Sequence, residues 1–165
     1  MYKKFLSLLA VLVLAAACDT TSDNSGAGAG NGMGGEGAGG KGGVARPGTQ
    51  EDLVVNVGDR VFFAFNESTL SPEARATLDR QAAWLKKYSN IKVTVEGHCD
   101  ERGTREYNLA LGERRATAVK NYLVADGVSA GRVKTISYGK ERPAVLGSNE
   151  AAWAQNRRGV TVVTP

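Results

Sequence analysis

The sequence predicts an α/β (α+β) sandwich in which two main helices cover one face of a mixed four-stranded sheet. Three observations point there. Short runs of β-branched and aromatic residues alternate with longer helical stretches, in the order β-α-β-α-β followed by a last strand. The helical stretches carry their own start and stop residues. The ~115 residues from Glu51 onward suit a single domain.

Each element can be justified in turn. Residues 60–65 (R-V-F-F-A-F) read as the first strand. Ser71 then caps a helix with Pro72 at its first position, and Ala74, Leu78, Ala82 and Leu85 give that helix an apolar stripe to about residue 88. Residues 92–97 (K-V-T-V-E-G) alternate and form the second strand. A second helix spans about 106–125, with Leu109, Gly112, Ala116, Val119 and Leu123 on one face, and Asp126-Gly127 stops it. Residues 133–138 make the third strand, 151–155 a short helical piece and 159–163 the last strand. Gly159 is expected to loosen the start of that strand. Trp84, Trp153 and Tyr88 are expected in the core.

The N-terminal part has a different character. Lys3 and Lys4 precede an apolar stretch at 5–14 and three small residues, Ala15, Ala16 and Ala17, so 1–17 reads as an export signal. The stretch is far short of the roughly 20 residues that span a bilayer. Cys18 follows at once, and L-A-A-A-C resembles a bacterial lipobox, which makes Cys18 the expected lipidation site and a membrane anchor. Residues 18–50 then form a tether, since 26–48 holds twelve of the 21 glycines and almost no large apolar side chain. Such a tether averages about 30 Å end to end and could stretch to about 100 Å. The globular domain is assigned to 51–165.

Charge and cysteines narrow the function classes. The formal net charge of +4 falls to +2 once Lys3 and Lys4 leave with the signal, too mild and mixed to argue for nucleic acid. With Cys18 acylated, Cys99 has no partner within the chain, and a lone thiol is expected to be buried. His98, Cys99, Asp100 and Glu101 are consecutive, and neighbours on a strand point to opposite faces. They therefore make neither a metal site nor a Cys–His dyad, and no second His or Cys cluster exists. Glu96, Asp100 and Glu101 without an extended sugar cleft are weak support for glycoside hydrolysis. No cofactor is expected, and the chain reads as a binding protein rather than an enzyme.

The binding chemistry lies in residues 97–104 (G-H-C-D-E-R-G-T) and the helix beyond. Asp100 stands at a strand end, and Arg115 lies on the flank of the next helix in line with Asn108. A carboxylate and a guanidinium so placed suit a zwitterionic amino-acid head group, Asp100 taking the ammonium and Arg115 the carboxylate in a bidentate fork. At 100° per residue Arg115 falls at the border of core and surface, whereas Arg114 faces solvent. The alternative for Arg115 is an ion pair with a nearby carboxylate such as Asp100 itself.

The run 97–116 (G-H-C-D-E-R-G-T-R-E-Y-N-L-A-L-G-E-R-R-A) resembles the OmpA C-terminal-like domains, in their peptidoglycan-associated lipoprotein branch. So do S-Y-G-K-E-R-P-A-V-L-G at 137–147 and N-R-R at 156–158. The resemblance covers residue 60 to the C-terminus and implies noncovalent binding of peptidoglycan through the free end of diaminopimelate. It places Asp100 and Arg115 at the ligand, with Asn108 and Arg102 at or near it. Many relatives read F-D-F-D where this chain has Phe63-Ala64-Phe65-Asn66; the resemblance thereby implies Phe65 and Asn66 at the ligand, with two carboxylates missing. The resemblance also implies TolB and other Tol-system proteins as partners, a role in cell division, and an outer-membrane address with the domain in the periplasm. Asp19, directly after Cys18, favours the inner membrane in the sorting of enteric bacteria; the outer membrane is the expectation adopted here.

Overall fold

In the computed structural model, residues 45–164 are described. The export signal, Cys18, Asp19 and the tether up to residue 44 lie outside them. The chain order is a short helix α1 (Gln50–Asp52) continuing into a π-helical turn (Leu53–Val57), β1 (Arg60–Phe62), α2 (Pro72–Lys87), β2 (Lys92–His98) and α3 (Arg105–Ala125). A 3₁₀ turn (Ala130–Arg132), β3 (Val133–Gly139), α4 (Glu150–Asn156) and β4 (Arg158–Thr164) complete it. The sheet order is β1-β4-β2-β3; β2 pairs with β3 in parallel and β4 runs antiparallel to both β1 and β2. Among the described residues no helix is long and apolar enough to cross a membrane.

The core lies between the sheet and the pair α2 and α3. Val61, Val93, Val95 and Val133 from the strands meet Leu78, Ala82 and Leu85 from α2 and Ala116, Val119 and Leu123 from α3. Ser71 caps α2 by accepting from Ala74 N, and Thr104 caps α3 by accepting from Tyr107 N. Polar residues within the core are matched to each other: the Thr161 hydroxyl donates to Gln81 Oε1, and Gln81 Nε2 donates to Gly58 O.

Several sequence expectations shift. The first strand ends at Phe62 rather than residue 65, because guanidinium groups replace the ladder there: Arg157 Nε donates to Phe63 O and Arg115 Nη2 to Ala64 O. Asn66 then turns the chain with φ of 58°, a left-handed conformation that asparagine tolerates. Gly48, Thr49 and Gln50, assigned by composition to the tether, are bonded to the domain. Asp52 Oδ2 accepts from Gly48 N and Trp84 Nε1, and Gln50 Oε1 accepts from Val163 N. Gly159 does not loosen β4, which begins one residue earlier; its bare α-carbon admits Val119 and Phe63, 3.3 and 3.4 Å from where a Cβ would stand. Trp84 is core, but Trp153 is only half buried and packs on the Arg102 guanidinium.

α3 lies on β2 and β3 almost backbone to backbone. A Cβ at Gly97 would land on the Gly112 carbonyl, and one at Gly112 would land on the Ser137 hydroxyl. Gly97→Ala should therefore force α3 off the sheet and destabilise by at least the ~3 kcal/mol at the upper end of ordinary overpacking. Gly131→Ala, where a Cβ meets nothing within 4 Å, should be close to neutral. Urea unfolding of the two variants is the check, and equal midpoints would remove this contact as a constraint.

Candidate ligand-binding site

The end of β2 and the turn beyond it form one wall of an open cleft of about 370 Å³. Between Gly97 and His98 the β2–β3 register slips, pairing His98 with Gly139; such irregularities re-aim the side chains that follow. Cys99 N then donates to Gly139 O, and its thiol donates to Asn108 O at 3.3 Å. Burial pushes the Cys99 thiol up, so it stays protonated and structural. Asn108 is a support, its Nδ2 donating to Arg102 O and Thr104 O and so fixing the turn from within α3. Lys140 ties the same turn from outside through Glu101 O and Gly103 O.

All six residues expected at the ligand line this cleft: Phe65, Asn66, Asp100, Arg102, Asn108 and Arg115. Asp100 is only 4% exposed. Its Oδ1 accepts from Arg102 N and Nε at 3.1 and 3.2 Å, and its Oδ2 from Arg102 Nη2 at 2.6 Å and Arg157 Nη1 at 3.4 Å. Burial alone would raise its pKa; the hydrogen bonds and charge of Arg102 outweigh that and hold it below the usual carboxylate range. Asp100 is thus an anion at any physiological pH. Tyr107 OH donates to Asn66 Oδ1 and closes one edge of the cleft.

Arg115 departs from expectation. It is wholly buried rather than at a border, and its Nε, Nη1 and Nη2 each donate to a carbonyl, of Glu67, His98 and Ala64, at 2.8–3.1 Å. The buried face of α3 runs through Asn108, Leu111, Gly112, Arg115, Ala116, Val119 and Leu123. Leu111 replaces the expected Leu109, which is half buried, and this rotates the apolar stripe onto Arg115. Three of the five guanidinium N–H groups are therefore committed to structure, and the open fork is not observed. Nor does Arg115 pair with Asp100. Arg114 is exposed, as its helical position requires, with its guanidinium 5.9 Å from the Tyr107 ring.

Sequence reasoning missed three contributors. Arg157 reaches Asp100 while its Nε is held by Phe63 O and its Nη2 by Glu150 at 2.7 Å. Its only sequence signal was the N-R-R match. Trp153 covers Arg102, whose guanidinium carbon lies 4.0 Å from the Trp153 ring and 4.0 Å from the Phe65 ring. The small residues beside it in α4 gave no hint that Trp153 packs on an arginine of the cleft. Tyr107 lay within the recognised motif without an assigned role.

His98 points away from Cys99, to the other side of the sheet, where its ring meets Tyr138 and its Nε2 lies 3.5 Å from Glu96. Neither ring nitrogen has a hydrogen-bond partner among the described residues. Burial, and secondarily the charge of Arg158, lowers its pKa from 6.5 to about 4. The unfolded chain takes up this proton near pH 6.5 and the folded chain only near pH 4. Stability is therefore whole above about pH 6.5 and falls as the pH drops towards 4, by about 3 kcal/mol. His98→Gln should flatten that part of the profile, as read by urea midpoints between pH 7 and 4.5; an unchanged slope would place the acid sensitivity elsewhere.

Comparison with known proteins agrees with this architecture. The OmpA family profile matches residues 62–157. The peptidoglycan-associated lipoprotein of Rhizobium meliloti (strain 1021) is 58% identical over 121 residues, covering 73% of this chain and 69% of that protein. That of Pseudomonas aeruginosa is 43% identical over 159 residues, covering 95% and 94%. Among solved structures, the peptidoglycan-associated lipoprotein from Burkholderia pseudomallei superposes with a TM-score of 0.63 at 42% identity, over 64% of this chain and 90% of that one. The C-terminal domain of Helicobacter pylori MotB shares the fold, with a TM-score of 0.61 at 19% identity, over 65% of this chain and 84% of that one. The chain therefore belongs to the OmpA family and, within it, to the peptidoglycan-associated lipoproteins.

Proposed function

We propose that this protein binds peptidoglycan noncovalently, taking the zwitterionic end of diaminopimelate in the stem peptide, and that through Cys18 it tethers the outer membrane to the wall. The observation that carries this reading is one buried, ionised carboxylate, Asp100, in a cleft lined by three guanidinium groups, Arg102, Arg115 and Arg157. An ammonium fits at Asp100, and the carboxylate on the same carbon meets the positive side of the cleft. The names of the relatives point to the same polymer.

The cleft offers binding chemistry rather than catalysis. Its thiol is held protonated, its carboxylate is held ionised, and both are bonded to the fold. A second partner is favoured by the rim, where Phe65 and Tyr107 are 58% and 44% exposed. Aromatic side chains so placed suit a protein surface. We assign that role to TolB and the Tol system, at a mouth shared with the wall ligand and in support of envelope integrity at cell division.

Detergent-solubilised full-length protein should sediment with purified sacculi. Asp100→Ala should weaken this by about 1.5–3 kcal/mol, as for a charge-assisted contact, and Arg115→Ala should weaken it as well by releasing the three carbonyls that hold the cleft wall. Arg115→Ala should also lower the melting temperature, since three carbonyls lose their donor. Arg114→Ala should change neither. Equal losses from Arg114 and Arg115 would defeat the site assignment. In a second experiment, Cys18→Ser should release the protein from the membrane fraction with the domain still folded. Retention of the substituted protein in membranes washed at high salt would exclude Cys18 as the anchor.

A further inference from the structure

The carboxylate that would receive an ammonium already holds a cation of the protein's own. Arg102 forms a two-point fork on Asp100, Nη2 to Oδ2 at 2.6 Å and Nε to Oδ1 at 3.2 Å. The same guanidinium is layered between Phe65 and Trp153, 4.0 Å from each ring. Trp153 is itself fixed by Nε1 donating to Glu101 at 3.1 Å. In this pair the Arg102 side chain is 31% exposed and that of Asp100 only 5%. The anion is sealed in, and the cation on it can be exchanged from solvent.

The other two guanidinium groups of the cleft have no such freedom. Arg115 is held by three carbonyls, and Arg157 by Phe63 O and Glu150. The side-chain N–H groups of Arg102 bond to Asp100 alone among the described residues. They are the donors released when another cation takes Asp100. Stacking on the two rings involves none of those donors, so among the described residues Asp100 alone holds them in their present direction.

The geometry points to Arg102 as the specificity-determining residue of the cleft, a surrogate cation that the ligand's ammonium replaces on Asp100. Once replaced, and still held between Phe65 and Trp153, it takes the carboxylate that sits on the same carbon as that ammonium. The inference rests on the zwitterion reading of the cleft. An α-amino-acid end exchanges one ion pair for two. A simple amine exchanges one cation for another and leaves Arg102 without a counter-ion. A lone carboxylate finds Arg102 engaged and Asp100 repelling it. The site thereby selects the pair of charges rather than either one.

The test is titration of detergent-solubilised full-length protein with soluble stem peptides carrying diaminopimelate or lysine at the third position. The lysine stem keeps the ammonium and lacks the carboxylate beside it. The unsubstituted protein should prefer the diaminopimelate stem at least tenfold. In Arg102→Ala the diaminopimelate stem should weaken at least fivefold and the lysine stem should bind as well or better, bringing the ratio within about twofold. A lysine stem that binds better cannot come from misfolding, which weakens both ligands together. Trp153→Ala, which opens the layer while leaving the fork, should lower the ratio part of the way. A tenfold preference retained in Arg102→Ala would overturn the inference and leave the wall-binding reading intact, with Arg115 or Arg157 receiving the carboxylate. An unsubstituted protein that binds neither stem would overturn both.

Discussion

A buried guanidinium holds the cleft together. Arg115 has no exposed surface, and a charge so placed is tolerated only where hydrogen bonds replace its water. Three carbonyls do this, those of Ala64 and Glu67 in the loop after β1 and that of His98 at the end of β2. In binding them, α3 fixes the loop carrying Phe65 and Asn66 against the strand that delivers Asp100. The dependence is mutual, since the loop carbonyls have no strand partner once β1 has ended at Phe62. The guanidinium takes the place of a strand there, so the cleft has a wall where the ladder stops.

Steric contact provides the second constraint. Gly97 and Gly112 let α3 lie against β2 with no side chain between them, and a Cβ at Gly139 would stand 3.0 Å from Leu109 N. That closeness brings the first turn of α3 directly over the strand end. Asn108 can then reach down to Arg102 O and Thr104 O, and the Cys99 thiol can reach up to Asn108 O. A helix standing farther off would leave the turn from Glu101 to Thr104 without these bonds. The small residues thus position the charged ones.

The three arginines of the cleft divide according to their partners. Arg115 and Arg157 serve architecture first and give the cleft a fixed positive field. Arg102 is bonded to Asp100 and layered between aromatic rings, in a place where solvent can compete. Among the described residues lining the cleft Asp100 alone carries negative charge, and it stays ionised because its partners offset the cost of burial. Asn66 on the facing loop is neutral, so it leaves that charge to Asp100, and it is itself engaged by Tyr107. The proposed grip on a zwitterion therefore turns on a single carboxylate.

Local pattern sufficed for much of this. The cap at Ser71, the alternation in β2 and the stop at Asp126-Gly127 are properties of short stretches, and their elements formed within a residue or two of expectation. The motif around Asp100 and the run at 63–66 together supplied six candidate residues, and the six line one cleft. What the sequence could not decide was which donors face which acceptors across the fold. Angular position on a helix depends on which leucine the sheet accepts, and the choice of Leu111 over Leu109 turned Arg115 from a border residue into a buried one. Arg157, Trp153 and the Asp52–Trp84 bond join residues far apart in the chain. Periodicity records which face of an element is buried; only tertiary packing determines what it is buried against, because a long-range hydrogen bond leaves no mark on the sequence around either partner.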